Sequence, residues 1–269
     1  MGAARQSNLR IAIDTGGTFT DCVWMEGGQR KTLKVFSTPD DPSRAIAEAL
    51  QKIGAAPGLT LLHGTLLHGT TVGTNALLQR KGGRVALVTT AGFEDVIEIG
   101  RQARPQLYDF FFDRVPPLVP SELRFGVKER ISAEGKVLES PTDAELTRLR
   151  EAVSNAQPDA IAISLLFSFA NPENEVRVAA ALQSIGKPLS VSHRILPEFR
   201  EYERTSTVVV NAYLQPLMQS YMEKIAERVA KLAAAATTRA GRSKARIFVM
   251  QSNGGIAALE FAAREPVRT

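Results

Sequence analysis

The chain has 269 residues, 44% of them hydrophobic and 23% charged, with a mean hydropathy near zero. That balance suits one large or two ordinary globular domains and excludes a disordered chain. The net charge of +5 is spread rather than blocked, so no dedicated nucleic-acid surface stands out, and the single cysteine, Cys22, excludes an internal disulfide or a cysteine-rich metal site.

Residues Met1 to Asn8 are polar, with no apolar leader behind them. No run reaches the roughly 18 apolar residues of a membrane span. With one cysteine, this makes cytoplasmic residence the expectation. Leu9 to Ile13 reads as an apolar strand entering a glycine turn, Phe19 to Met25 as a second strand and Thr32 to Ser37 as a third, with Gly27-Gly28 as the hairpin turn. Cys22 falls in the second strand and reads as a small buried hydrophobe rather than a nucleophile. No helix separates these strands. That argues against Rossmann and Walker units, where the glycine loop opens a helix. Ser43 to Ile53 is a helix with Ile46, Leu50 and Ile53 on one face, Pro42 before it and Gly54 after it. A five-residue tandem follows, Leu61-Leu62-His63-Gly64-Thr65 and Leu66-Leu67-His68-Gly69-Thr70, too short for a repeat unit. Gly73 to Arg80 reads as a helix stopped by Gly82-Gly83, and Val85 to Thr90 as a buried strand. Arg101 to Pro120, rich in aromatics and proline (Tyr108, Phe110, Phe111, Phe112), reads as a packed irregular loop.

Helix Thr142 to Ala156, strand Ala160 to Phe167, helix Pro172 to Ile185 and strand Leu189 to Ser192 then alternate, an α/β pattern. The apolar run at Ala160 is expected to be covered on both faces. Tyr202 to Ala236 reads as one long helix with Pro216 as a kink site, closed by Gly241 and Arg242. Arg246 to Gln251 is a last strand. The stretch Glu198 to Tyr202 is the expected domain boundary.

Asp14-Thr15-Gly16-Gly17-Thr18-Phe19-Thr20-Asp21 carries the strongest chemistry. Its glycines let a phosphate approach backbone N–H groups, and Thr15, Thr18 and Thr20 add hydroxyls. Asp14 sits where a carboxylate could hold Mg²⁺ through water. A plain Gly-Gly hairpin is the alternative. His68 to Asn75 gathers an imidazole, an amide and the hydroxyls of Thr70, Thr71 and Thr74 before a helix, whose N-terminus attracts anions; capping by the threonines is the alternative. His68 stays open between substrate contact, metal ligation and simple hydrogen bonding, and His63 reads as structural. Glu94, Asp95, Glu98 and Arg101 follow a strand end, where α/β ligands sit, or form a solvated helix face. Arg101 and Arg104 could clamp an anionic group. The run Glu198, Arg200, Glu201, Glu203, Arg204 reads first as surface ion pairing at a helix start. Ser252-Asn253-Gly254-Gly255 is a polar turn with donors for phosphate or substrate, or a turn and nothing more.

The Asp14 to Asp21 string resembles the first phosphate loop of the hydantoinase A / 5-oxoprolinase family. Four further strings agree with that family in order: His68 to Ala76, Thr89 to Asp95, Glu203 to Thr207 with Asn211 to Leu214, and Met250 to Gly255. The resemblance implies an α/β fold: an actin-like ATPase (ribonuclease H-like) N-terminal lobe over residues 1–198, and the start of a hydantoinase/oxoprolinase domain over 199–269. It implies that ATP, with Mg²⁺, phosphorylates the carbonyl oxygen of a cyclic amide such as a hydantoin or 5-oxoproline before water opens the ring. Related members carboxylate ketones by the same activation. The implied partners are a hydantoinase B-type subunit or domain and an oligomeric assembly, without nucleic acid or membrane. Asp14 and Asp21 are the implied catalytic carboxylates, Asp14 also holding the metal through water. Thr15, Gly16, Gly17, Thr18, Thr20, Ser252, Asn253, Gly254 and Gly255 would meet ATP. His68, Thr70, Thr71, Thr74, Asn75, Glu94, Asp95, Arg101 and Arg204 would face substrate.

No second Asp-Gly-Gly-Thr-like loop follows residue 21, so the chain is expected to be an N-terminal fragment or truncated frame, with weak ATP binding and little turnover alone. A rival reading is a non-catalytic lobe that only assembles with a partner, marked by an exposed apolar face. Another is a small-molecule kinase, which needs a carboxylate base from among Asp14, Asp21, Glu94 and Asp95.

Overall fold

A computed structural model describes residues 10–26, 28–54, 64–102, 108, 111, 115–235 and 246–269. The expectations for residues 1–9, Gly27, His63, Arg104, Phe110, Phe112, Gly241 and Arg242 lie outside that set.

The chain opens with the strands β1 (Arg10–Thr15), β2 (Phe19–Glu26) and β3 (Gln29–Phe36), followed by helix α1 (Pro42–Gly54). Then come β4 (Thr65–Thr70), α2 (Val72–Leu78), β5 (Val85–Thr90), α3 (Val96–Ile99) and the short strands β6 (Arg124–Val127), β7 (Arg130–Ile131) and β8 (Val137–Glu139). The remainder is α4 (Asp143–Asn155), β9 (Ala160–Ser164), α5 (Glu173–Leu182), β10 (Leu189–Val191), α6 (Ser192–Ile195), α7 (Glu201–Ala235), β11 (Arg246–Met250), β12 (Ile256–Ala258) and α8 (Leu259–Arg264). Two compact units result, one of residues up to 79 together with 217 onward, the other of residues 80–216. These cuts differ from the sequence division at 198/199, because β11 returns to pair with β4.

The first unit is a six-stranded sheet in the order β12-β11-β4-β1-β2-β3. The meander β1-β2-β3 is antiparallel, while β1, β4 and β11 run parallel. Strand alternation sorts the two faces. Ile11, Ile13, Cys22, Val35 and Leu66 are buried. Helix α1 packs on β1, β2 and β3, burying Ala45, Ile46, Ala49, Leu50 and Ile53 along one stripe. The second half of α7 also belongs to this core through Met218, Tyr221, Met222 and Ile225, and Arg228 ties it to α1 by hydrogen bonds to Ser43 (2.8 Å) and Asp41 (2.6 Å). Phe19, Val23, Met25, Phe36 and Met250 remain exposed. Trp24, the chain's one tryptophan, lies in β2 between Ile11 and Lys31.

The second unit holds a four-stranded parallel sheet in the order β10-β9-β5-β6. Every residue of β5 and β9 is buried, as continuous apolar strands demand. Helices α4 and α5 supply Leu146, Leu149, Val153, Val178 and Leu182 to its core. Thr142 starts α4 with the capping box that Thr-x-x-Glu implies, reciprocated by Glu145. Strand β9 stops at Ser164, short of the expected Phe167, which sits at φ 53° in a turn.

The pair Gly82-Gly83 does more than stop a helix, since α2 already ends at Leu78. A Cβ on Gly82 would lie 2.2 Å from the Tyr213 ring. Pro216 has no N–H to donate to the Ala212 carbonyl inside α7, and one residue further on the Tyr213 carbonyl accepts from the Gly83 N–H at 2.9 Å. Strand β4, formed by the second tandem copy, and the strands β6 to β8 and β12 are absent from the sequence reading. Among the described residues no helix is long and apolar enough to cross a membrane.

Candidate functional site

Strands β1, β4 and β11 stand in register, Ile13 beside His68 and His68 beside Val249. Their carboxyl ends therefore open along one sheet edge, where α/β proteins place ligands. Three of the sequence strings leave from that edge: the Gly16–Thr18 loop, Thr71 with α2, and the Ser252–Gly255 turn.

The loop after β1 is closed by a hydrogen bond from Gly16 N to Phe19 O at 3.0 Å. A Cβ on Gly17 would meet nothing within 4 Å, so the backbone there faces open space. Ser37, just after β3, holds the loop from behind. Its Oγ donates to Gly16 O (2.7 Å), its N donates to Thr18 O (2.9 Å), and its Oγ lies 3.0 Å from Thr20 Oγ1. The N–H groups of Gly17 and Thr18 have no acceptor among the described residues. Two adjacent free amides in a glycine turn form an anion-binding concavity.

Asp14 and Asp21 face each other directly across β1 and β2, and both are exposed. Like charges in that position repel unless a cation joins them. On one side Lys34 reaches Asp21 at 3.0 Å. On the other, a Cβ on Gly69 would fall 2.9 Å from Asp14 Oδ1, so a glycine leaves the space the carboxylate uses. Paired carboxylates beside free amides fit a hydrated divalent cation carrying phosphate. No group of three or more His, Cys, Asp or Glu side chains suited to a metal occurs among the described residues.

Other expected donors are committed internally. Thr15 is 2% and Thr20 0% exposed, so their side chains point into the core, Thr20 to Ser37 and Thr15 beside the Tyr221 hydroxyl. His68 is fully buried: Nδ1 lies 3.3 Å from Ile13 O and Nε2 2.8 Å from Tyr221 Oη. With both nitrogens hydrogen-bonded and the ring buried, the geometry favours the hydrogen-bonding alternative for His68. Thr70 Oγ1 accepts from Val72 N (3.1 Å), while Thr71, the residue at the cap of α2, makes no side-chain capping bond. Thr71 Oγ1 donates to Thr15 O (3.4 Å) and accepts from Asn75 (3.4 Å), while Thr74 and Asn75 are exposed near this edge. At Ser252–Gly255 the Ser252, Gly254 and Gly255 amides all have internal acceptors: Arg268 O, Gln251 O and Asn253 Oδ1. Three of the four backbone donors expected to meet ATP there are thus engaged within the protein.

In the second unit the expected substrate residues are held in place by neighbours. Asp95 and Glu98 both pair with the buried Arg124 at 2.7 Å. The Glu94 carboxylate lies over Gly126, whose added Cβ would clash with it. Arg101 pairs with Glu203, the surface ion pair expected of that charge run. Arg204 departs from it: the side chain is fully buried and donates to Leu165 O (2.7 Å), Ser192 Oγ (3.0 Å), Ser168 and Glu201. In this geometry the guanidinium cross-links elements within the unit. Ser37 and Lys34 were not singled out by the sequence; a serine closing a strand and a lysine on an edge strand carry no local signal.

A family model described as the hydantoinase/oxoprolinase N-terminal region matches residues 10–186, and a hydantoinase/oxoprolinase model matches 204–269. The chain belongs to the hydantoinase/oxoprolinase family. Caprolactamase subunit alpha of Pseudomonas jessenii is 36% identical over 94% of this chain, and the solved ATP-dependent caprolactamase from that organism superposes with a TM-score of 0.77 at 34% identity over 92% of it. The nucleotide-free acetone carboxylase structure superposes with a TM-score of 0.80 at 26% identity over 97%. The 5-oxoprolinase of Saccharomyces cerevisiae is 29% identical over 94%. This family member spans 36% of the caprolactamase chain, 39% of the acetone carboxylase chain and 22% of the 5-oxoprolinase.

Proposed function

We propose that this chain carries the phosphate-binding half of an ATP-dependent enzyme that activates the carbonyl oxygen of a cyclic amide before ring opening, on an actin-like (ribonuclease H-like) lobe. The observation that carries the reading is the Gly16–Thr18 loop, with two free amides beside a facing carboxylate pair at the carboxyl edge of three parallel strands. The order of the strands, a meander followed by two parallel additions, supports the lobe assignment. Its relatives' names, caprolactamase and 5-oxoprolinase, support the amide.

Bound ATP would supply the phosphoryl group, and a bound Mg²⁺ would neutralise charge on it. The Gly17 and Thr18 amides bind phosphate oxygens. Asp14, given room by Gly69, would hold the metal's water shell, with Asp21 opposite it. Ser37 keeps the loop carbonyls turned away so that the amides point outward. Thr74, Asn75 and Glu94 remain substrate candidates, and a hydantoinase B-type subunit is the partner that would receive the activated ring.

ATP hydrolysis should be measured with hydantoin, 5-oxoproline, caprolactam, ketones and alcohols, with and without a B-type subunit. Stimulation by a lactam or hydantoin is expected, and stimulation by an alcohol alone would sink the reading. The superposition on acetone carboxylase favours a second reading, ketone carboxylation, revealed by stimulation only with ketone and bicarbonate. The exposed Phe19, Val23, Met25 and Phe36 favour an assembling lobe, which a flat response to every substrate would support.

A further inference from the structure

Lys34 is the cation that this site already contains. The register aligns Gly69, Asp14, Asp21 and Lys34 across four adjacent strands, on the exposed side of the sheet. The Lys34 ammonium lies 3.0 Å from Asp21 Oδ1 and 4.9 Å from the centre of the Phe19 ring. Phe19 is the first residue after the loop, and its ring leans on Phe36, 5.2 Å away between centroids. The strand that carries Lys34 ends at Phe36, and the next residue, Ser37, holds the loop. One strand therefore both shapes the anion site and brings an ammonium beside it. The row has two carboxylates and one ammonium, a net charge of −1. A divalent cation converts that to +1, which suits a polyphosphate and leaves the ammonium competing with the metal for Asp21.

We propose that Lys34 is a phosphate-positioning residue that exchanges partners. Without ligand it neutralises Asp21. When metal and nucleotide enter, it leaves Asp21 to the metal's water shell and turns its ammonium to a phosphate oxygen. No covalent bond changes in this step. The inference rests on the proposed ATP site and adds to it a second, opposing effect on metal alone.

That opposition makes it testable on the 269-residue chain by two titrations, Mn²⁺ alone by electron paramagnetic resonance and Mg·ATP by calorimetry. The variants are Lys34→Gln, Lys34→Arg and, as a control on the alternate side of the same strand, Lys31→Gln. Lys34→Gln should weaken Mg·ATP about tenfold, the scale of a lost charged hydrogen bond. It should tighten Mn²⁺ by about two- to fivefold, the scale of an exposed ion pair removed from Asp21. Lys34→Arg should restore most of the ATP affinity, and Lys31→Gln should match the parent. Circular dichroism confirms that each variant is folded. If Lys34→Gln changes neither affinity, Lys34 is only a surface ion pair and the inference fails while the ATP site stands. If metal and nucleotide weaken together, the lysine merely holds Asp21 in place and the inference also fails. If the parent chain binds no nucleotide, both readings fall.

Discussion

The His68 ring nitrogen Nδ1 faces the Ile13 carbonyl, so it carries the proton and Nε2 accepts from the Tyr221 hydroxyl. Burial favours the neutral ring and pulls its pKa down from 6.5 to about 4, and the same burial pushes the Tyr221 hydroxyl up to about 12. The sign follows from linkage. A histidine whose pKa is depressed by folding contributes its stability above pH 6.5 and loses it as pH falls toward 4. Over that window the first unit should lose about 3 kcal/mol at this one residue. Urea midpoints at pH 7.5 and 4.5 for the parent and for His68→Gln check it, since the variant should lack that part of the decline. Nothing near His68 in sequence announces this burial. Its partner Tyr221 is 153 residues away, whereas the turn at Gly16-Gly17 is legible because its two strands are neighbours in the chain.

At the scale of elements, α7 was readable almost to the residue, because its 35 residues are rich in helix formers and hold no glycine, and one proline does not outweigh them. The role of Gly82 was not, since it depends on a tyrosine more than a hundred residues later. Tyr213 is 6% exposed and has little room to retreat. Gly82→Ala should therefore destabilise the second unit by about 1–3 kcal/mol, the cost of overpacking a closed contact, despite the usual gain from replacing glycine. Thermal unfolding of Gly82→Ala, with Gly186→Ala as a left-handed glycine that meets nothing within 4 Å, would separate crowding from backbone strain. Strand β4 carries little local signal: of its six residues, Thr-Leu-Leu-His-Gly-Thr, only two are aliphatic, and they are adjacent rather than alternating.

At the scale of the molecule, chain order and the alternation of elements were enough to anticipate an α/β fold, because helices and strands of strong period dominate residues 142–235. Which strands share a sheet was not legible. Strand β11 must return across the whole of the second unit's sequence to reach β4, and only that return sets three loops along one edge. Two units with separate cores should unfold in separate transitions.

Trp24 gives that division an optical handle. The only indole in the chain sits in β2 of the first unit, and its Nε1 is buried without an acceptor among the described residues. Its emission therefore reports one unit alone, while far-ultraviolet ellipticity, carried by helices of both, reports the sum. A urea series followed by both signals should give midpoints that do not coincide; superimposable curves would show the units melting as one. Trp24 is also two residues from Cys22 and three from Asp21, on the strand behind the glycine turn. A ligand that tightens the turn should shift the colour of that emission, so the chain carries its own binding sensor.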